Sequence, residues 1–349
     1  MVNLNDSDYA NNSFTLFGPL VFGNGKDDIC AVKIVLSVLL GVSMIFSIVG
    51  NVCICAVIAR DRTMRTPTNC YLVNLAMTDL LMSFFVPIEI YIIWIPDFYP
   101  LGEFGCRLHF VLLDWLCNCS LLIITAFTVE RYLVVSRPFL RQKLTLNSRV
   151  FKIVGVIWIF SLCFCIPDIF YIDLLERKKY VFCYFTVSHI LSVVIWVEIF
   201  VFFAIPMTTI FVLYMLIIIE LKSSQRKMRN SPVAGKQNRD KTVKMLAAVV
   251  ASFFIFWSPY CVIRVMIIDP KYEYEDDYTA WKIVNYLCYN AYISSAANPI
   301  LYSLMSRKFR QAFKVYKHLS LSKPEALARS LGVISIYNRM YLQKKNVYK

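Results

Sequence analysis

The sequence predicts an all-α membrane protein: a seven-transmembrane helix bundle followed by a short amphipathic cytoplasmic helix. Three observations predict it. The 349 residues are 58% hydrophobic and 17% charged, with a mean hydropathy of +0.57, too little charge to solvate a water-facing surface. Four charge-free runs, residues 34–59, 199–219, 245–263 and 283–306, are 26, 21, 19 and 24 residues long, and about 20 apolar residues cross a bilayer as a helix. The 37 Lys and Arg fall unequally on the connections between runs, as the sidedness of a multi-pass chain requires. The same composition excludes a disordered chain, a collagen, a secreted disulfide scaffold and a soluble catalytic domain.

Residues 1–32 are polar and carry Asn5-Asp6-Ser7 and Asn11-Asn12-Ser13, which match the glycosylation acceptor pattern at Asn5 and Asn11. They lack a basic and apolar signal-peptide pattern, so the first span is expected to act as its own insertion signal. The bundle is expected over 33–304. Between the four clean runs lie three blocks that carry charge: 67–94 with Asp79 and Glu89, 106–135 with Asp114 and the Glu130-Arg131 pair, and 153–170, whose 15-residue neutral run ends at Asp168. An ionisable group at mid-depth costs about 3 kcal/mol, so each should face the protein interior or a water-filled cavity. After the seventh span, in 305–349, Phe309, Phe313 and Tyr316 sit at helical spacing among Arg307, Lys308, Arg310, Lys314 and Lys317, the pattern of a helix lying on the inner leaflet.

Alternating the connections places 28 basic residues on the side of the C-terminus and 9 on the other. The positive-inside rule therefore puts the N-terminus outside and the tail in the cytoplasm. The net charge of +14 is mostly this asymmetry, a basic inner face against anionic membrane lipids, and not a nucleic-acid surface. Of 12 cysteines, nine fall in helices as small apolar residues. A bridge between Cys106, which opens the third span, and Cys183 would tie the following outer loop over the bundle and leave Cys30 over. His109, His189 and His318 lie in separate segments, and neither a phosphate loop nor a metal cluster is present, so no enzyme is expected. Pro87, Pro167, Pro206, Pro259 and Pro299 fall inside spans, where each removes a backbone hydrogen bond and marks a place where a helix can swing.

The motifs in these spans resemble the rhodopsin-like G-protein-coupled receptors. The residues that carry the resemblance are Gly50-Asn51, Leu75-Ala76 with Asp79, Cys106, Glu130-Arg131-Tyr132, Trp158, Pro206 with Tyr214, Phe256-Trp257-Ser258-Pro259 and Asn298-Pro299-Ile300-Leu301-Tyr302, in order across 34–316. The stretches 64–73, 124–132, 244–247 and 304–310 look most like neuropeptide receptors of the thyrotropin-releasing-hormone type. The resemblance implies a plasma-membrane receptor that binds an extracellular peptide and activates a heterotrimeric G protein, with calcium signalling through phospholipase C. A transporter or channel is the competing class, since Asp79, Glu89 and Asp114 could line a path, but no repeat symmetry supports it.

Several residue roles follow from the resemblance. Arg131 needs a carboxylate partner at the cytoplasmic end of the third span, and adjacent Glu130 is expected to supply it. Tyr214 and Tyr302 would meet near Arg131 in the active state, with Leu121, Pro206 and Phe253 relaying the swing of the sixth span about Trp257 and Pro259. Asp79, Asn51, Ser120, Ser294, Ser295 and Asn298 would hold a sodium ion in the inactive state as a negative allosteric ligand. Glu89, Asp114 and Glu198 would form a negative outer bowl for a basic group of the peptide, with Arg264 meeting its carbonyl end and Asn118, Tyr260 and Cys288 lining it. Asp114 and Cys288 stand where thyrotropin-releasing-hormone receptors have Tyr and Arg, so a different, more basic peptide is expected. Leu113, not Asp114, stands where biogenic-amine receptors hold their ammonium, which makes an amine the second choice. Few tail hydroxyls, chiefly Ser320, Ser322, Ser330 and Ser335, imply weak arrestin binding.

Overall fold

A computed structural model of the chain describes residues 30–60, 64, 66–136, 147–177, 180–186, 188–227, 251–252, 254–266 and 286–305, and the side chains of all of these except 135, 147–148, 177, 180, 221–227 and 301–305. Helix α1 is Cys30–Arg60, α2 is Pro67–Trp94, α3 is Gly102–Ser136 and α4 is Asn147–Cys165. A hairpin of β1, Ile172–Arg177, and β2, Tyr180–Phe185, leads into α5, which runs from His189 to Lys227. The described parts of α6 and α7 are Phe254–Met266 and Asn290–Met305. Helices α1 to α5 are each long and apolar enough to cross a bilayer. Asn5, Asn11, Phe253 and the expected cytoplasmic helix lie outside the described residues.

Local chemistry sets the ends and breaks. Thr66 caps α2 by accepting from the Asn69 amide at 3.3 Å, with Pro67 at the first helical position. Ser188 caps α5 through the Leu191 amide at 3.1 Å. Gly102 enters α3 at φ +67°, a conformation that only glycine takes without strain. Four of the prolines sit in different local settings. Pro87 follows a break that divides α2 into Pro67–Ser83 and Val86–Trp94. Pro167 lies in the 3-10 turn Ile166–Phe170 that ends α4. Pro206 follows a π-helical stretch, Ile199–Ala204, whose wider turn absorbs the carbonyl that proline cannot satisfy. Pro299 sits inside a continuous α7.

Helix α3 is the axis of the bundle. Its most apolar window is 72% buried, against 11% for α1, and it packs on α2, α4 and α5. Helix α1 lies outside, against α2 and α7. Its contact with α7 is close: a Cβ on Gly50 would stand 2.5 Å from the Pro299 Cβ. Large apolar side chains such as Phe46, Phe151, Ile159 and Phe200 face outward, which suits lipid and not water.

The hairpin departs from the purely helical expectation. Its strands pair Leu174 with Cys183 in antiparallel register, and the Val, Phe and Tyr of β2 favour a pleated surface. The expected Cys106–Cys183 bridge is present, with Cα atoms 5.7 Å apart. The loop before α3 joins this lid: Tyr99 donates its amide to the Val181 carbonyl at 2.9 Å, and the Val181 amide to Asp97 at 3.0 Å. Arg107 adds contacts to Glu103 at 3.0 Å and Asp173 at 2.8 Å.

Candidate functional site

Beneath the lid, four helices converge on one cation. Arg264 of α6 donates to Asp114 of α3 at 2.7 Å and to Glu198 of α5, and stands 3.8 Å from Asp168 of the α4 terminus. Its Nη1 also donates to the Tyr260 hydroxyl at 3.2 Å. All four charged residues are buried, so the cluster carries three carboxylates for one guanidinium. Neither oxygen of Asp168 accepts a hydrogen bond, although Asp168 is 0% exposed. Buried ions repay desolvation only when partners are complete, and Asp168 lies within hydrogen-bond reach of Asp114, so the two acids can share a proton.

Within the expected bowl, Arg264 meets Asp114 and Glu198. Glu89 does not belong to the cluster. It accepts from the Tyr292 hydroxyl of α7 at 2.6 Å and lies 3.5 Å from His109 Nε2. His109 Nδ1 in turn meets the Tyr99 hydroxyl at 2.8 Å, which ties the outer loop to α3, α2 and α7. Burial pushes the Tyr99 phenol above its ordinary range, so it remains a hydroxyl at neutral pH. The split follows from helix geometry: Glu89 faces α7 from α2, while Asp114 and Glu198 face α6. Of the other expected lining residues, Asn118 donates to Cys165 Sγ at 3.4 Å and Cys288 to the Pro259 carbonyl at 3.5 Å.

Sequence reasoning missed Asp168, His109 and Tyr292. Asp168, like Asp114, is an acid in a membrane-span block, and that signal could have placed it in the site. His109 was set aside for lack of ligand spacing, and Tyr292 was legible only through contact.

A second polar region lies deeper. Asp79 accepts from Asn298 Nδ2 at 2.9 Å. Asn51 donates to the Ser295 carbonyl at 3.1 Å and to Ser47 Oγ at 3.2 Å. Ser83 bridges Ser47 Oγ and the Asp79 carbonyl, both at 2.8 Å, and Ser120 donates to Thr78 Oγ1 at 2.9 Å. Asp79, Ser120, Ser294 and Asn298 line a small internal cavity floored by Trp257 and Phe256. Ser294 turns its proton to the Ala291 carbonyl at 2.6 Å, leaving oxygen lone pairs for a guest. The donor set of one carboxylate, hydroxyls and an amide fits a small hard cation.

At the cytoplasmic end, the partner expected for Glu130 is replaced. Arg149 Nη2 of α4 donates to Glu130 Oε2 at 2.6 Å, while the Arg131 guanidinium lies 5.1 Å from the Phe127 ring centre. Neighbours in a helix point about 100° apart, so Glu130 turns toward α4 and Arg131 along another face. Tyr132 is half-buried beside them, and Tyr214 and Trp257 are buried. Leu121 is buried in α3 and Pro206 in α5. Pro259 and Asn298 are half-buried and Pro299 is buried. The side chain of Tyr302 lies outside the described residues.

The chain resembles known proteins over most of its length. The family described as 7 transmembrane receptor (rhodopsin family) matches residues 50–302. Human neuromedin-U receptor 2 is 32% identical, over 77% of this chain and 68% of that protein. The pyrokinin-1 receptor of Drosophila melanogaster is 30% identical, over 84% and 83%. The thyrotropin-releasing hormone receptor of Gallus gallus is 32% identical, over 76% and 74%.

Proposed function

From the premise that this chain belongs to the rhodopsin family of seven-transmembrane receptors, multi-pass proteins of the plasma membrane, we propose that it is a G-protein-coupled receptor for a neuropeptide carrying a basic group. The relatives are named as receptors for neuromedin U, pyrokinin and thyrotropin-releasing hormone, all peptides. The family is one of receptors and not of enzymes. The observation that carries the basic-group reading is the surplus of acid around Arg264.

The peptide enters beneath the hairpin and sets a cation among Asp114, Asp168 and Glu198. Those acids then share two cations, and α6 loses part of its hold on α3 and α5. Agonist binds this loosened state more tightly than the closed one, as any ligand-driven shift requires. Helix α6 swings about Trp257 and Pro259, and the cytoplasmic cleft opens to a heterotrimeric G protein that signals through phospholipase C and calcium. A sodium ion at Asp79, Ser120, Ser294 and Asn298 favours the closed state by holding α2, α3 and α7 together. Arrestin recruitment is weak for want of tail hydroxyls. The amine alternative lacks the acid that biogenic-amine receptors use, since Leu113 stands at that position.

Calcium release in cells expressing the chain, challenged with neuromedin U, pyrokinin, thyrotropin-releasing hormone and an amine panel, tests this function. A response to a basic peptide that falls at least tenfold in potency with Asp168→Asn, at equal surface expression, supports it. A response to amines alone, or ion flux without G protein, overturns it.

A further inference from the structure

We infer that Asp114 and Asp168 hold one proton between them, and that a cation entering beneath the hairpin takes that proton's place. The inference rests on the receptor function proposed above and names what the peptide's basic group displaces there. Local structure sets up the pair. Pro167 lies in the 3-10 turn Ile166–Phe170 that ends α4, and Tyr171 closes the turn by donating its amide to the Asp168 carbonyl at 2.9 Å. Asp168 is thereby turned inward, to 0% exposure, within hydrogen-bond reach of Asp114 on α3.

Charge decides where the proton sits. Three carboxylates around one guanidinium would leave two uncompensated negative charges in a buried space. Asp114 and Glu198 each receive a direct hydrogen bond from Arg264. Asp168 stands 3.8 Å from the guanidinium and accepts no hydrogen bond from it, so it is the least compensated of the three. Two carboxyls side by side resist ionising together, and a proton on one is held by the other. Asp168 donates and Asp114 accepts, which leaves one negative charge on the cluster. The other titratable neighbours among the described residues are the Cys117, Cys165 and Cys261 thiols and the Tyr260 phenol, groups without charge near neutral pH.

A ligand cation set between the two carboxyls replaces the proton one for one. The Asp168 O–H bond breaks, the proton leaves to water beneath the hairpin, and the cation donates to both carboxylates. Net charge on the cluster is the same before and after, so the buried site never carries both surplus charges. Proton and cation compete, and affinity for the cation therefore rises with pH as long as the pair holds its proton.

Infrared spectra of the full chain in lipid nanodiscs test the pair, because a protonated carboxyl has a C=O stretch apart from that of a carboxylate. Against wild type, Asp114→Asn and Asp168→Asn should each abolish the same single band at neutral pH, while bands of other acids cancel. The double variant should lose no more than either single one. Unchanged bands in both single variants overturn the inference, as do losses that add in the double variant.

The exchange is read on the wild-type chain with methylguanidinium, a cation without a titratable group near neutral pH. Its addition should remove the band, and the concentration for half-removal should fall about tenfold per unit rise in pH. A band that methylguanidinium leaves in place overturns the exchange, and so does a midpoint that ignores pH. A wild-type chain that releases calcium to none of the peptides above sinks the receptor function instead, and the infrared band still decides the fate of the proton.

Discussion

The outer charge cluster and the mid-bundle polar core are both buried, yet they balance charge by different means. Around Arg264, full charges from α3, α4, α5 and α6 hold one another. Around Asp79, one carboxylate is met by neutral donors from α7 and by serines and a threonine nearby. The first arrangement is brittle, because removing one member strands the others. The second is forgiving, since a hydroxyl or an amide can be replaced by water. The brittle cluster faces the entry of a ligand, which can supply a charge, and the forgiving one lines a cavity suited to a small ion.

Arg264→Ala breaks the comparison most severely. It leaves three buried carboxylates uncompensated, at a cost of about 3–5 kcal/mol, and little folded receptor should reach the surface by flow cytometry with an N-terminal tag. Adding Asp114→Asn and Glu198→Gln should recover part of it. If Arg264→Ala alone folds normally, the cluster is not brittle. Next comes Gly50→Val, which forces side-chain carbons against Pro299 beside the polar core, with about 1–3 kcal/mol of overpacking. A lower unfolding midpoint with unchanged ligand affinity is expected, because the strain lies on the forgiving side of the molecule.

Tyr292→Phe removes the donor to Glu89 and should cost about 1–2 kcal/mol, the penalty of a buried acceptor left unmet; unfolding of the purified chain measures it. Asp79→Asn should change folding least, since the amide can still face Asn298. Its effect should appear instead as loss of sodium dependence: agonist affinity in Asp79→Asn should be equal in sodium and in a bulky organic cation. A variant that keeps the wild-type sodium dependence would remove the ion from the polar core.

The membrane spans, their orientation and the positions of the buried acids were legible because lipid leaves one solution for the backbone and makes every mid-span charge conspicuous. The partners were not. Asp114 and Arg264 meet across 150 residues of sequence, and no local pattern records that α6 rather than α7 faces α3 at this depth. Glu89 looked like a member of the same bowl because sequence gives depth along a helix but not the direction across the bundle. Glu130 and Arg131 show the opposite error: adjacency in the chain suggested a pair, whereas helical geometry points them apart. The hairpin went unread because β2 is short and lies between apolar runs, where strand and helix patterns look alike.

The π-helical stretch of α5 also sets an angular phase. Glu198 and Tyr214 are 16 residues apart, and an unbroken α-helix would turn them about 160° from each other. One extra residue in the wide turn at Ile199–Ala204 brings the difference to about 60°. Both side chains can then look toward α3, one into the charge cluster and the other near Thr128. The wide turn works as an index mark between the half of α5 that senses and the half that reports. Deleting one residue there would leave the helix apolar and long enough to span, yet rotate its two ends out of step.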